Sequence, residues 1–202
     1  MKRILFILIF IFNLFISFAQ NIHSYNYIID MNYYKAYYSE EIQTSSFVIY
    51  KLYNGGGETS RKGLNFKSYK SLPHYDYSKS GYDRGHLVPA EDMAYSQPSL
   101  QSTFYYINSI PQHPSLNRGT WRRYENMIRN ASISDSLIIV VGGCDYVGLI
   151  PQKCFKIAYS LSTKKCLYTI LISNDSTMII TGDDKLKQKF PFKKIINLYN
   201  GR

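Results

Sequence analysis

The chain has 202 residues, nearly half of them apolar, and carries ten more basic than acidic side chains. Its three cysteines, at 144, 154 and 166, allow one internal disulfide at most and show no metal-ligand spacing, which excludes a framework of several bridges. The basic excess points to polyanionic partners such as nucleic acid, acidic glycans or anionic membrane, set against the plainer alternative of a solvated basic surface.

Lys2 and Arg3 open the chain, Ile4 to Ile16 is apolar apart from Asn13, and Ser17-Phe18-Ala19 has the small-x-small form that signal peptidase cuts after. The apolar run falls short of the roughly 20 residues that a membrane span needs. The expectation is a signal peptide over 1–19, cleaved after Ala19, and a secreted or periplasmic protein with no stable membrane anchor after cleavage. Losing Lys2 and Arg3, with no acid removed, lowers the formal charge from +10 to +8. Residues 20–202 then suit one domain with a core of its own.

The stretch "SFVIYKLY" (46–53) reads as a strand, "NGGGETSRKG" as a loop, and 65–81 as a long surface loop. "TFYYINSI" (103–110) reads as a strand and "LNRGTWRRYENMIRN" (116–130) as a helix whose first turn Gly119 weakens. "SLIIVVGG" (136–143) reads as a buried strand, "CFKIAYSL" and "CLYTILIS" as a hairpin about the turn "STKK", and "TMIITG" (177–182) as a further strand. The tail "DDKLKQKFPFKKIINLYNGR" reads as a short helix on the sheet, with a nucleic-acid-binding arm as the sharper alternative. Mostly antiparallel strands with one or two helices make an α+β domain.

Within this frame one run concentrates charge. "YDRGHLVPAED" puts Asp83, Arg84 and His86 within four residues, with Gly85 between the last two. Gly85 allows close backbone approach or a positive φ, and the Leu-Val-Pro that follows favours extended backbone. An exposed imidazole at such a strand end is placed to take a proton from water near neutral pH. On the expected helix, about 100° per residue puts Asn117 at 0°, Trp121 near 40°, Glu125 near 80° and Arg129 near 120°, with Tyr124 and Ile128 within about 20° of Asn117. An amide, a carboxylate and a guanidinium thus edge an apolar stripe. Alone, that pattern is met by an N-cap asparagine and a solvated Glu–Arg pair four residues apart. Joined to the histidine, it supplies the parts for cleaving a phosphodiester: a base for water, an amide oxygen for a hard cation, and arginines for phosphate oxygens.

"YDRGHLVPAEDM" and "TFYYINSIPQHPSLNRGTWRRYENMIR" together resemble the DNA/RNA non-specific endonuclease family, the ββα-metal nucleases that include Serratia-type secreted nucleases and mitochondrial endonuclease G. The resemblance runs from about Phe47 to Lys156 and fades toward the C-terminus. It implies an antiparallel β-sheet core with a ββα-metal (His-Me finger) element, His86 on its second strand and Asn117 at the start of its helix. His86 matches the general base, and Asn117 the single protein ligand of a Mg2+-type ion, with Mn2+ or another divalent ion as a substitute. Glu125 matches the acid that orients metal-bound water, Arg84 and Arg129 supporting arginines, and Asn108 a residue lining the site near the histidine. Arg61 is the candidate clamp for the scissile phosphate, and Asp83 is read as structural. The implied activity is hydrolysis of DNA and RNA backbones to leave 5′-phosphates. The alternatives are a non-catalytic extracellular nucleic-acid binder that uses tyrosines for stacking, or a phosphodiesterase for smaller nucleotides.

Overall fold

A computed structural model describes residues 21–201; the expected signal peptide and its cleavage point lie outside the described residues. The elements run β1 (Tyr27–Asp30), β2 (Tyr34–Ser39), β3 (Thr44–Leu52), β4 (Asp83–His86), α1 (Gln97–Ser102), β5 (Ser109–Gln112), α2 (Arg122–Ala131), β6 (Leu137–Val147), β7 (Ile150–Ser160), β8 (Cys166–Ser173), β9 (Ile179–Thr181), α3 (Asp184–Lys189) and α4 (Phe192–Tyr199). Seven strands form one sheet in the order β1-β2-β3-β6-β7-β8-β9, every pair antiparallel. β4 and β5 form a separate antiparallel pair, and α2 follows them. The fold is α+β with an antiparallel core.

Side chains alternate across a strand, and here both faces of the large sheet are covered. Val48, Tyr50 and Leu52 of β3 and Leu137, Ile139 and Val141 of β6 pack against Leu87, Val88, Ile110, Trp121 and Ile128 of the β4–β5–α2 layer. Phe47, Ile49, Ile138, Val140, Phe155 and Ile157 point the other way, onto Leu186, Phe190 and Ile195 of the C-terminal helices. Coverage on both sides explains why "LIIVV" is unbroken by polar residues. It also places the basic tail, which forms two short helices on the sheet and not one. The three thiols are free; Cys144 and Cys154 belong to opposite faces. Among the described residues no helix is long and apolar enough to cross a membrane.

Three local expectations are corrected. The strand expected at 103–110 is an irregular turn and a 3₁₀ segment (Tyr106–Asn108), and pairing begins only at Ser109. The cause is Asn108, whose buried amide bonds the backbone of Val88 and Thr103 and so turns the chain locally. The helix expected at 116–130 opens as a π-helical turn, Leu116–Trp121, before α2. Lastly, His86 ends the first strand of the ββα element, not the second.

Candidate active site

The β4–β5 register pairs Asp83 with Gln112, Gly85 with Ile110 and His86 with Ser109. Gly85 is needed for close approach, not for a turn: its φ is outside the left-handed region, and a Cβ there would lie 2.1 Å from the Gln112 Oε1. Immediately beyond His86, Asn108 accepts from the Val88 N–H at 2.9 Å and donates to the Val88 and Thr103 carbonyls at 3.0 Å. Asn108 is fully buried and does not line the cleft as expected; it fixes the strand end that carries the histidine.

The triple glycine places a second wall. Gly57 donates to the Glu91 carbonyl at 3.1 Å, and a Cβ on Gly57 would lie 2.1 Å from the Ala94 carbonyl oxygen. Only glycine lets this loop lie against the turn over Glu91–Met93. The loop then carries Arg61 over the Phe104 ring (5.9 Å) and beside Glu91 (3.7 Å).

The π-turn brings Asn117 inward. Its Nδ2 donates to the Asp83 Oδ2 at 2.9 Å. A carboxylate only accepts, so the amide orientation is fixed with Oδ1 turned away from Asp83; among the described residues no donor reaches Oδ1. Arg118 grips the same carboxylate with two bonds, of 2.7 and 2.5 Å, and these pull the Asp83 pKa below the usual carboxylate range. Asp83 is thus structural, holding Asn117 and Arg118 where Arg84 or loop backbone was expected. Such wide turns recur at functional sites, and this one breaks the 100° spacing assumed from Asn117 to Glu125.

Below the cleft lies a buried ionic network. Glu125 pairs with Lys156 (3.3 Å), and Arg129 with Asp92 (2.8 Å), whose other oxygen accepts from the Tyr50 hydroxyl at 2.8 Å. The solvated Glu125–Arg129 pair that spacing alone suggests is absent. Burial raises the pKa of both carboxyls, opposed at Glu125 mainly by Lys156 and at Asp92 mainly by Arg129.

These pieces converge on one cleft of about 420 Å³, lined by His86, Asn117, Glu125, Phe66, Glu91 and five arginines: 61, 84, 118, 122 and 129. His86 is less exposed than its sequence context suggests. Its ring packs 4.7 Å from Phe66 and 5.0 Å from Phe104, and Nε2 is buried without a hydrogen-bond partner, leaving Nδ1 as the nitrogen open to the cleft. Burial, and secondarily the Arg61 guanidinium, pushes its pKa down to about 3. Of the expected site residues, all but Asn108 reach the cleft. Sequence reasoning missed Lys156, Asp92, Arg118 and Arg122. Two of these left a signal: Asp92 falls inside the quoted "LVPAEDM", and Lys156 takes an inward position between Cys154 and Ala158 on an apolar strand.

The oxygen donors suit a hard cation. Among the described residues no group of three or more His, Cys, Asp or Glu gathers. One amide oxygen, the Glu125 carboxylate, with Glu91 turned to Arg61 and Arg129, and an open, roomy cleft fit an ion that keeps most of its ligands as water, the habit of magnesium.

A family described as DNA/RNA non-specific endonuclease matches residues 14–198. A protein named Nuclease from Nostoc sp. is 30% identical over 153 residues, 68% of this chain and 56% of that protein. The mitochondrial nuclease EXOG of Danio rerio is 38% identical over 93 residues, 43% of this chain and 27% of its own length. Mitochondrial endonuclease G of Homo sapiens is 34% identical over 93 residues, 43% of this chain and 31% of its own length. The chain therefore spans between about a quarter and just over half of these relatives. A solved structure described as the EndoG/EndoGI complex superposes with a TM-score of 0.70 at 18% identity, covering 83% of this chain and 86% of that one, a likeness of fold.

Proposed function

The chain belongs to the DNA/RNA non-specific endonuclease family, and from that premise we propose that it is an exported, Mg2+-dependent endonuclease that hydrolyses DNA and RNA backbones with little regard to base or sugar. Residues 20–202 would be one nuclease domain and 1–19 its cleaved signal peptide. The observation that carries the proposal is the meeting of His86, Asn117, Glu125 and five arginines at one cleft.

In this reading the histidine acts as a neutral base. At neutral pH its imidazole is uncharged, the form that accepts a proton, and the tautomer this reading requires keeps its own proton on the walled Nε2. Nδ1 takes a proton from a water lined up on the phosphorus. The water oxygen bonds to phosphorus as the bond to the 3′ oxygen breaks, which leaves a 5′-phosphate. Asn117 Oδ1 would hold a divalent cation and Glu125 would orient the waters around it. That cation, when bound, neutralises the phosphate and the leaving oxygen. Arg61 and Arg84, both on the exposed rim, would grip the non-bridging oxygens, while Arg129, committed to Asp92, supports the floor.

The test is supercoiled-plasmid nicking with purified protein, with and without EDTA, beside His86→Ala. We expect cleavage that needs a divalent ion and falls about 10²–10⁴-fold in the variant, the usual cost of losing a general base. Wild-type turnover by His86→Ala removes the assigned base. Binding without any cleavage would make the chain a non-catalytic binder, and hydrolysis of nucleotides but not plasmid would make it a small-substrate phosphodiesterase.

A further inference from the structure

We infer that Lys156 is a positioning residue for the reaction proposed above, holding the Glu125 carboxylate from beneath the cleft. Lys156 lies in the middle of β7, paired with Val141 on one side and Ile170 on the other, and is 1% exposed. Period-2 alternation puts it on the same face as Cys154 and Ala158, under the ββα layer. Its ammonium reaches two groups there: Glu125 Oε1 at 3.3 Å and the Trp121 ring, 4.9 Å to the centroid. Trp121 closes the π-turn that carries Asn117, and Glu125 lies on α2. One side chain therefore ties both halves of the expected cation site to the rigid sheet.

Stability does not account for this lysine. Taking an ammonium out of water is costly, and apolar replacements for a buried ion pair are often neutral or stabilising. Nor does Glu125 have another anchor: among the described residues Lys156 is the only donor that reaches its carboxylate. Asp92, on the neighbouring turn, repels it. Without Lys156 no donor would hold the carboxylate, and it would be free to swing away from the position it keeps beside the cleft.

This inference rests on the nuclease reading, and the experiment separates the two. Wild type, Lys156→Met, Lys156→Arg, Glu125→Gln and Lys156→Met/Glu125→Gln are compared as full chains, by plasmid nicking in Mg2+ and by calorimetric titration with Mn2+. Lys156→Met should lose about 10–100-fold in rate or cation affinity, the usual effect of removing a partner one shell out, and Lys156→Arg should recover part of it. On the Glu125→Gln background, adding Lys156→Met should cost far less than it does in wild type, leaving only what the Trp121 contact contributes. A wild-type protein that nicks nothing fails the nuclease reading and this inference with it. An active wild type with an equally active Lys156→Met, or an equal further loss in the double variant, fails this inference alone. Lys156→Met/Glu125→Leu, which removes both charges, should melt at or above wild type while remaining inactive; a large drop in its melting temperature would show a merely structural lysine and overturn the inference.

Discussion

Gly85→Ala tests the geometry on which His86 depends. The added Cβ would stand 2.1, 2.4 and 2.5 Å from Oε1, Cδ and Cγ of Gln112, where ordinary contact begins at 3.4 Å. The three contacts fall short by about 0.9–1.3 Å, so β4 and β5 must separate by roughly that much. Gln112 cannot swing clear: it is fully buried, and its Nε2 lies 3.5 Å from the Cys154 sulfur. Overpacking of this kind costs about 1–3 kcal/mol, and at 2–4 °C per kcal/mol for a chain of this size the melting temperature should fall by roughly 2–12 °C. His86 is the next residue, and a displacement near 1 Å costs about 10²-fold in rate. Differential scanning calorimetry and plasmid nicking read the two effects. Gln112→Ala on the Gly85→Ala background should recover much of both, because it removes the obstructing atoms. A Gly85→Ala protein with the melting point and rate of wild type would refute the close-approach argument.

Asn117→Ala should abolish the heat of Mg2+ or Mn2+ binding, while Asp83→Ala should only weaken it, by about 10–100-fold, because it frees the amide to turn; the opposite ranking would put the ligand on Asp83. His86 titrates near 3 when folded against about 6.5 when unfolded. Its contribution is therefore present in full above about pH 6.5 and lost as pH falls toward about 3, where the unfolded chain binds the extra proton. Melting temperatures measured at about pH 7 and pH 4.5 should drop less for His86→Gln than for wild type, and equal drops would count against the buried imidazole. Duplex DNA binding should weaken linearly with salt on logarithmic axes, at about −0.9 per phosphate neutralised. Fragment ends from random-sequence DNA should show no strict consensus; a strict consensus or salt-independent binding would contradict backbone recognition.

The parts of the fold that read directly from sequence are those where apolar period and burial coincide. "LIIVV", the hairpin about "STKK" and the helix after Trp121 all bury continuous apolar surface, so their local pattern survives packing. β4 could not be read that way. Its four residues, Asp-Arg-Gly-His, carry no strand propensity and pair only because Gln112 and Ile110 lie opposite. The 103–110 segment misled for the converse reason: its aromatics favour a strand, but the amide of Asn108 takes the backbone bonds a ladder would need. In the site, motif residues were legible because their chemistry is carried in two short runs, 82–93 and 103–129. Lys156 acts from outside both and Asp92 from the end of the first, and only the fold reveals that a lysine buried in a strand and a carboxylate past a proline face the same helix.

The pairing of β3 with β6 has a consequence for how the protein comes into being. Leu52 lies beside Leu137, so residues 53–136 form a single excursion between neighbouring strands, and His86, Asn117, Glu125 and Arg129 all lie inside it. Its ends must be brought together before the sheet can support it, and that closure carries an entropic cost that no local contact offsets in advance. A chain ending before β6 would already contain the histidine, the amide and the arginines yet have only β1–β3 of the sheet that holds them in register. Catalytic competence therefore waits on the strands that follow the motif.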